Sequence, residues 1–281
     1  MTPDARYVLV NGDTPTLFVG SSGRAVRVSA WFRAGPVVDT DLSADGRYLA
    51  VVTRSGHLTV FSTVRGQPVW WTRLRGELFS LAVSEDGTRV GAASEETLYV
   101  FDIRTGARVF VHAFGKSRIA SLGLSRDGRR AVVARKTPEG QLAVALLLTD
   151  RAGQAWERRL GPVSVPTLQV SRAGSVVKAG DFLGRAVTIL SGDGHTLWRS
   201  PPGLEPVEAA LSPDGTLAAV VTGSRVEIRK IRGQVLWNTQ IPGYALSVRY
   251  GGPWVAVTGS PDRTQKVPDH VWFVRVPDLA R

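Results

Sequence analysis

The histidines are the residues of this 281-residue chain that could first be expected to do acid–base or metal chemistry. The four of them are His57, His112, His195 and His270. None has a second histidine or a carboxylate at the spacing of zinc ligands, so the sequence predicts no structural zinc. Asp193 and His195 suggest an acid–base dyad, but the surrounding segment SGDGH is typical of a turn and favours a surface histidine.

Paired carboxylates and nucleophiles are the other candidates for catalysis. Glu95 and Glu96 are adjacent, so in a strand they point to opposite faces and cannot act together. We interpret them as a solvated hairpin tip. The chain has no cysteine, and it contains neither a Gly-x-Ser-x-Gly elbow nor a phosphate-binding loop. The sequence therefore predicts no catalytic residue, no metal and no cofactor.

A four-residue segment, Ser-x-Asp-Gly, recurs along the chain and reveals an internal repeat. Its copies begin at Ser43, Ser84, Ser125 and Ser212, and a fifth copy at Ser171 has Ala173 in place of the aspartate. Their spacings are 41, 41, 46 and 41 residues. A variant at Thr2 and a degenerate copy near Tyr250 bring the number of units to seven. Serine and aspartate side chains accept backbone N–H groups in tight turns, and glycine adopts positive φ. The four aspartates are therefore predicted to be turn formers, and they are Asp45, Asp86, Asp127 and Asp214.

Each unit has four short segments rich in β-branched and aromatic residues, separated by Gly, Asp and Ser. Seven units of about 41 residues with four antiparallel strands each are typical of a β-propeller. We predict an all-β fold: a seven-bladed β-propeller of four-stranded antiparallel blades, forming a single domain over residues 1–281. The first unit lacks an innermost strand and the last unit an outermost one, which predicts an incomplete seam between first and last blades. The longest excursion is 258–270, and we expect it to be functional or mobile.

An aromatic residue follows a glycine by four positions in the outer strand of several units. Examples are Gly66 to Trp70, Gly106 to Phe110, Gly194 to Trp198 and Gly233 to Trp237. A large ring at one place in each unit is predicted to cover the neighbouring sheet. Ligand stacking is the alternative interpretation.

The recurrent turns, the apolar strand after each turn, and the segment VFDIRTGARVF resemble the WD repeat and the related pyrroloquinoline-quinone-type (PQQ-type) repeat. The segments GHTLW and GQVLW resemble the Gly-x-x-Leu-Trp ending of the latter. The resemblance covers nearly the whole chain and implies a β-propeller. No unit has the Trp-Asp dipeptide, Phe101-Asp102 being nearest, and the fuller tryptophan-docking pattern of quinoproteins is matched only in part. The resemblance therefore does not imply a quinone cofactor or its oxidation chemistry.

The charge of the chain favours acidic partners. Its 35 lysines and arginines exceed its 24 aspartates and glutamates, giving a net charge of +11 and a pI near 10.7. Only five of the basic residues are lysine, and arginine is better suited to bidentate carboxylate or phosphate contacts. Genomic base composition and heat adaptation are alternative explanations of the arginine content.

If the strands run as in other propellers, the links between second and third strands and the links between blades lie on one face. Basic residues of the first set are Arg54, Lys136, Arg185, Arg225, Arg263 and Lys266. The second set contains Arg33, Arg75, Lys116, Arg118 and Arg159, with Pro201, Pro202, Leu204 and Tyr244 as apolar anchors. On the opposite face, basic residues alternate with the acids of the turns. We therefore predict a partner-binding face made of Arg33, Arg54, Arg75, Lys116, Arg118, Lys136, Arg159, Arg185, Arg225 and Tyr244.

Three classes of function remain open from the sequence. The first is a non-enzymatic interaction scaffold or sensor domain that binds an acidic protein partner. The second is binding of nucleic acid or an anionic surface by the same face, although the sequence shows no recognition helix. The third is a small-molecule or enzymatic site at the central channel.

The sequence predicts a protein that is monomeric or part of a larger multidomain protein. No window approaches 18 consecutive apolar residues, so no transmembrane segment is expected. The compartment stays open. The absence of a leader favours the cytoplasm, whereas the resemblance to PQQ-type repeats, with an upstream segment removed, would favour export.

Overall fold

The computed structural model of this protein describes residues 7–10, 16–19, 22–23, 25–27, 35–151, 153–181, 186–201, 207–251, 254–261 and 270–276. The chain divides into two compact units, residues 1–157 and 158–281. Throughout the described part, every regular element is a β-strand. The all-β prediction is therefore confirmed.

The first unit contains one sheet of three strands followed by three sheets of four, each in the order of the chain and antiparallel. The first sheet is β1 (Tyr7–Val10), β2 (Thr16–Val19) and β3 (Ala25–Arg27). The second is β4 (Val37–Leu42), β5 (Tyr48–Thr53), β6 (His57–Ser62) and β7 (Gln67–Arg73). The third is β8 (Leu78–Val83), β9 (Arg89–Ser94), β10 (Thr97–Asp102) and β11 (Arg108–Ala113). The fourth is β12 (Arg118–Leu124), β13 (Arg130–Lys136), β14 (Gln141–Leu148) and β15 (Gly153–Pro162).

The second unit continues this pattern with two sheets of four strands and one of three. The fifth sheet is β16 (Pro166–Val170), β17 (Val176–Asp181), β18 (Val187–Ser191) and β19 (Thr196–Arg199). The sixth is β20 (Val207–Leu211), β21 (Leu217–Thr222), β22 (Arg225–Lys230) and β23 (Val235–Gln240). The seventh is β24 (Tyr244–Gly251), β25 (Trp254–Ser260) and β26 (His270–Arg275).

The middle strands of the sheets read as continuous apolar runs because both of their faces are covered. In the first unit, β5 (YLAVVT) and β9 (RVGAAS) are buried at every position after the first. Val52 and Leu58 of the second sheet share one core with Leu81 and Val90 of the third. In the second unit, Val221 of the sixth sheet packs likewise with residues of the seventh. Neighbouring sheets within one unit thus bury each other's faces, as adjacent propeller blades do.

The Ser-x-Asp-Gly segments form the predicted tight turns. In the Ser84 copy, the serine Oγ donates to Asp86 Oδ1 at 2.8 Å, the same oxygen accepts the Thr88 N–H at 2.9 Å, and Gly87 has φ of 67°. The serine-to-aspartate bond recurs at Asp45, Asp127 and Asp214. The prediction that these aspartates are turn formers is confirmed.

The recurrent aromatic residues pack between sheets, as predicted. Trp70 of β7 donates its indole N–H to the Ile103 carbonyl at 2.6 Å, and its ring centroid lies 5.7 Å from that of Phe101. Gly106 lies directly under the Trp70 ring, where a Cβ would come within 3.0 Å of it. In the second unit, Trp198 lies beneath the guanidinium of Arg229, at 5.2 Å.

The first and seventh sheets each have three strands among the described residues, in agreement with the expected incomplete blades. How the ring closes, and whether residues 1–281 form one domain, stay predictions. The excursion at 258–270 lies mainly outside the described residues, since these end at Pro261 and resume at His270.

Candidate functional site

The two sets of links predicted to share a face do lie at the same end of the sheets. In the first unit, Leu74 N–H in the β7–β8 link donates to the Gly56 carbonyl of the β5–β6 link at 2.8 Å. Phe114 N–H in the next link between sheets donates to the Glu96 carbonyl at 2.7 Å. In the second unit, Ile241 N–H donates to the Ser224 carbonyl at 2.9 Å. We call this end of the sheets the loop face within each unit.

Three exposed arginines gather on the loop face of the first unit. Arg54 and Arg75 were predicted, and the structure adds Arg73, which ends β7. All three line one open pocket of about 590 Å³, together with Leu74 and Glu77. We call this set the first patch (Arg54, Arg73, Arg75). Arg73 was missed because it belongs to a strand, although its alternation with Trp71 indicates that it faces outward.

A second cluster of cations lies on the same loop face, where β12 begins and β13 ends. Arg118 and Lys136 are opposite each other in the antiparallel register, and Lys116 lies two residues before Arg118. All three side chains are exposed. The Arg118 guanidinium lies 4.2 Å above the ring centroid of Phe79, which holds it in place. We call this set the second patch (Lys116, Arg118, Lys136).

The other predicted contact residues are less uniform. Arg159 lies inside β15 and not in a link, which corrects its expected position, because β15 extends to Pro162. Arg225 begins β22 and is ion-paired, with Nε 2.9 Å from Glu227 Oε1. Tyr244 begins β24 and is half-buried. Four further predicted basic residues lie outside the described residues, and they are Arg33, Arg185, Arg263 and Lys266.

The loop face of the first unit also carries acids. Glu77, Glu95, Glu96 and Glu139 are exposed in its links. Interleaved acids are thus not confined to the opposite face, and Glu95 and Glu96 are predicted to form a solvated hairpin tip. They do form that tip, between β9 and β10. The positive charge of this face is therefore concentrated in two patches and is not a continuous rim.

A buried arginine lies beside the second patch. Arg135 of β13 places Nη2 2.6 Å from Glu157 Oε2 and donates from Nη1 to Ser117 Oγ at 2.5 Å. Its guanidinium also lies 5.0 Å from the Phe114 ring centroid. Burial, followed by the charge of Arg135, lowers the pKa of the nearby His112. The sequence gives no signal for this cluster, because its members come from four separate segments.

In the first unit, the first strands of neighbouring sheets are joined by side-chain hydrogen bonds, and these occupy the two carboxylates of β4. Asp39 Oδ2 of β4 accepts the Leu81 N–H of β8 at 2.9 Å, and Asp41 Oδ2 accepts the Val83 N–H at 2.7 Å. Ser80 Oγ of β8 likewise accepts the Leu122 N–H of β12 at 3.1 Å. Among the described residues, no three His, Asp or Glu side chains converge as metal ligands would.

Burial raises the pKa of Asp41 from 3.8 to about 6, with backbone hydrogen bonds opposing and the charge of Asp39 adding to the shift. Because the pKa of Asp41 is higher in the folded state than in the unfolded state, the stability that Asp41 contributes is complete below pH 3.8. It is lost as the pH rises through the folded-state pKa of about 6. We expect the free energy of unfolding of wild type, relative to Asp41→Asn, to fall by about 2 kcal/mol between pH 4.5 and 7.5, out of about 3 kcal/mol over the whole titration. Urea unfolding of both proteins at several pH values measures it, and parallel pH profiles would contradict it.

The His195–Asp193 pair is a surface feature, as expected. Its Nδ1 and Oδ2 atoms are 3.0 Å apart, and both side chains are about three-quarters exposed. Hydrogen bonds from Ser191 and His195 lower the pKa of Asp193 to about 2.

A search of the described residues for a helix with the length and hydropathy of a membrane span finds none.

Comparison with known sequences agrees with the repeats. Residues 19–147 match the PQQ-repeat family model described as outer membrane protein assembly factor BamB. An uncharacterized WD repeat-containing protein of Synechocystis is 26% identical over 128 residues, which are 45% of this chain and 33% of that protein. The chain thus matches about a third of the length of this relative.

Solved structures with the same fold are numerous, and three are representative. The β-propeller domain of Myceliophteria thermophila Cps50 (Swd1) aligns with a TM-score of 0.67 and 12% identity, over 92% of this chain and 91% of that chain. A chain of Kuenenia stuttgartiensis hydrazine synthase aligns with a TM-score of 0.69 and 15% identity, over 99% of this chain and 94% of that chain. A chain of the mitotic checkpoint complex aligns with a TM-score of 0.73 and 12% identity, over 98% of this chain and 87% of that chain. The predicted β-propeller fold and the resemblance to WD-like and PQQ-like repeats are confirmed.

Proposed function

We propose that this β-propeller is a non-enzymatic protein-interaction scaffold whose loop face docks an acidic segment of a partner. The observation that carries the proposal is the concentration of six exposed cations into the first and second patches. Arginine is enriched among the residues that dominate binding energy at interfaces. Complementary charge also accelerates encounter with an acidic partner.

The comparisons support the scaffold in general terms. The relative from Synechocystis is a WD repeat-containing protein. One structural neighbour is a chain of the mitotic checkpoint complex, so that propeller is part of a protein complex. Hydrazine synthase shows that a propeller chain can also belong to an enzyme. The carboxylates on β4 are occupied by backbone N–H groups of β8, which favours a structural role for them over catalysis.

The proposal is tested with a fluorescein-labelled 20-residue glutamate-rich peptide and fluorescence anisotropy. We expect the triple variant R75E/K116E/R118E to bind it about 10- to 100-fold more weakly than wild type, because charges of both patches are reversed. The matched control is R126E/R151E/R232E, which makes the same change of charge at exposed positions of the opposite end. Its affinity should change less than threefold after correction for net charge.

Equal losses in the two triple variants would contradict the proposal, because binding would then follow net charge alone. A 20-base-pair DNA duplex is measured in parallel from 50 to 300 mM salt. If the duplex binds more tightly than the peptide and its affinity falls steeply with salt, counterion release governs binding. That result would overturn the acidic protein partner in favour of nucleic acid.

A further inference from the structure

The outer strand of the second sheet carries a tryptophan that the fold does not use. Trp70 of β7 packs against the third sheet, but the next residue, Trp71, is 66% exposed. Among the described residues, its ring contact is a tilted one with His57, at 6.2 Å between ring centroids. Val69 on the same strand is 40% exposed. Exposed tryptophan with neighbouring apolar side chains is typical of an interface hot spot.

A groove rich in arginine lies at one end of β7. Arg47, Arg65 and Arg104 line a pocket of about 390 Å³ with Val64, Pro68 and Val69. Val64 is 77% exposed, so the groove includes an apolar side chain that is open to a partner. No carboxylate lines it. We call this set the lower groove (Arg47, Arg65, Arg104, with Val64, Pro68 and Val69).

The nearby acids are already engaged. Asp102 is paired with Arg89 at 2.6 Å and accepts the backbone N–H groups of Arg104 and Thr105. These interactions hold the pKa of Asp102 below its ordinary value against the opposing effect of burial. Within the described part of the chain, neither Arg65 nor Arg104 forms an ion pair, and Arg47 makes a loose one with Asp45 at 3.5 Å. The guanidinium groups of Arg65 and Arg104 are thus available to bind carboxylates.

The other end of β7 enters the first patch. Arg73 ends the strand and lines the pocket that Arg54 and Arg75 share. An apolar row of Val69 and Trp71 therefore lies between two groups of arginines on the exposed side of one strand. From Gln67 to Arg73, β7 is about 20 Å long at the usual rise per residue. We call this surface the β7 track: the lower groove, Trp71 and the first patch.

β7 is also the edge of its sheet, because the strand order is β4-β5-β6-β7. Pro68 lacks an N–H group, and the register shifts opposite Val60 and Phe61, so the first half of the strand is poorly suited to pairing. The stretch 70–73 has no such obstacle. Backbone pairing with an added strand is therefore restricted to this stretch, and side chains must supply the remaining contacts.

We propose that the β7 track binds an extended partner segment of about seven to nine residues with acidic residues at both ends and two apolar residues, two positions apart, in the middle. The acidic ends pair with the lower groove and the first patch, and the apolar residues cover Val69 and Trp71. A second copy of this chain is a poor occupant, since each copy carries a net charge of +11. The inference rests on the proposed function at the first patch and adds the lower groove and Trp71 to it.

The equivalent strand of the third sheet offers a matched control. Val111 of β11 corresponds to Trp71, since it follows the packed Phe110 as Trp71 follows Trp70, and it is 50% exposed. The groove beside it contains Asp150 and a single arginine, Arg151. The groove beside β11 therefore combines an apolar row with a carboxylate and one arginine, where the lower groove has three arginines.

The test uses two labelled nine-residue peptides of identical composition. The patterned peptide is Glu-Asp-Thr-Ile-Thr-Leu-Thr-Asp-Glu, and the scrambled one, Ile-Thr-Glu-Asp-Thr-Asp-Glu-Thr-Leu, has its acids in the centre. We expect the intact protein to bind the patterned peptide at least about 10-fold more tightly in an anisotropy titration. The variants Trp71→Ser and R65E/R104E should each lose at least about 10-fold, whereas Val111→Ser and R126E/R151E should change less than about twofold.

Equal affinity for the two peptides, or insensitivity to Trp71→Ser and R65E/R104E, would overturn the inference. The proposed function would survive that result if R75E/K116E/R118E still lost the glutamate-rich peptide, because Lys116 and Arg118 lie outside the β7 track. Sedimentation velocity identifies the competing occupant. If the wild-type protein is a dimer and Trp71→Ser dissociates it, the occupant of the β7 track is a second copy of this chain and not an acidic partner segment.

Discussion

Arg135→Met will lower the free energy of unfolding by about 3 kcal/mol, because it removes the guanidinium from a largely buried ion pair with Glu157. The side chains of Arg135 and Glu157 are 8% and 24% exposed, so little water can replace the lost contact. The Ser117 hydroxyl and the Phe114 ring lose their interactions with the guanidinium as well. Urea unfolding monitored by circular dichroism measures the change.

Two further variants make this prediction specific. Arg118→Met removes an exposed arginine from the strand next to Arg135 and should cost less than about 1 kcal/mol, mainly through its contact with the Phe79 ring. The double variant R135M/E157L should recover part of the loss, because a buried ion pair replaced by apolar groups is better tolerated than one of its halves. A second signal is the pKa of His112, which should rise in Arg135→Met since the neighbouring positive charge is gone. An Arg135→Met protein as stable as Arg118→Met would refute the importance of the pair.

Trp70→Ala will be similarly damaging, with an expected loss of about 3–5 kcal/mol. The substitution opens a cavity between the second and third sheets, next to Phe101 and Gly106. It also leaves the Ile103 carbonyl without the indole N–H at 2.6 Å. Thermal or urea unfolding of the variant measures the effect.

The neighbouring tryptophan is the natural control. Trp71→Ala should cost less than about 1 kcal/mol, because that side chain is 66% exposed. The loss of unfolding free energy in Trp70→Phe should lie between the losses in the two alanine variants. Phenylalanine keeps most of the packing and loses one hydrogen bond, which is worth about 1 kcal/mol. If the two alanine variants were equally destabilised, the assignment of Trp70 to packing and of Trp71 to the β7 track would be wrong.

The repeat made the architecture predictable, because its signals are local. Ser84, Asp86 and Gly87 interact within one turn, so their types alone indicate the turn and its positive φ. The glycine-to-aromatic spacing that ends at Trp70 also recurs in the sequence, and it correctly predicted packing between sheets. Counting strands per unit then led to the propeller without any knowledge of long-range contacts.

The candidate site was only partly predictable. Arg54 and Arg75 could be assigned to links, and the structure brings them into one pocket. Arg73 is a strand residue, so a prediction based on link residues does not include it. Arg159 lies in a strand because β15 continues to Pro162 through Gly161, although glycine and proline usually mark the end of a strand. Sequence patterns show where strands occur more reliably than where they end.

The amino-acid sequence by itself determined the strands, the turns and the repeated contact between neighbouring sheets, since these follow from residue types a few positions apart. Tertiary structure alone decided which charges are buried and which are free. Arg135 and Arg73 both occur near the ends of strands, yet one pairs with Glu157 in the interior and the other faces solvent. The physical reason is that burial and pairing depend on residues brought together from distant segments, and no local pattern records them.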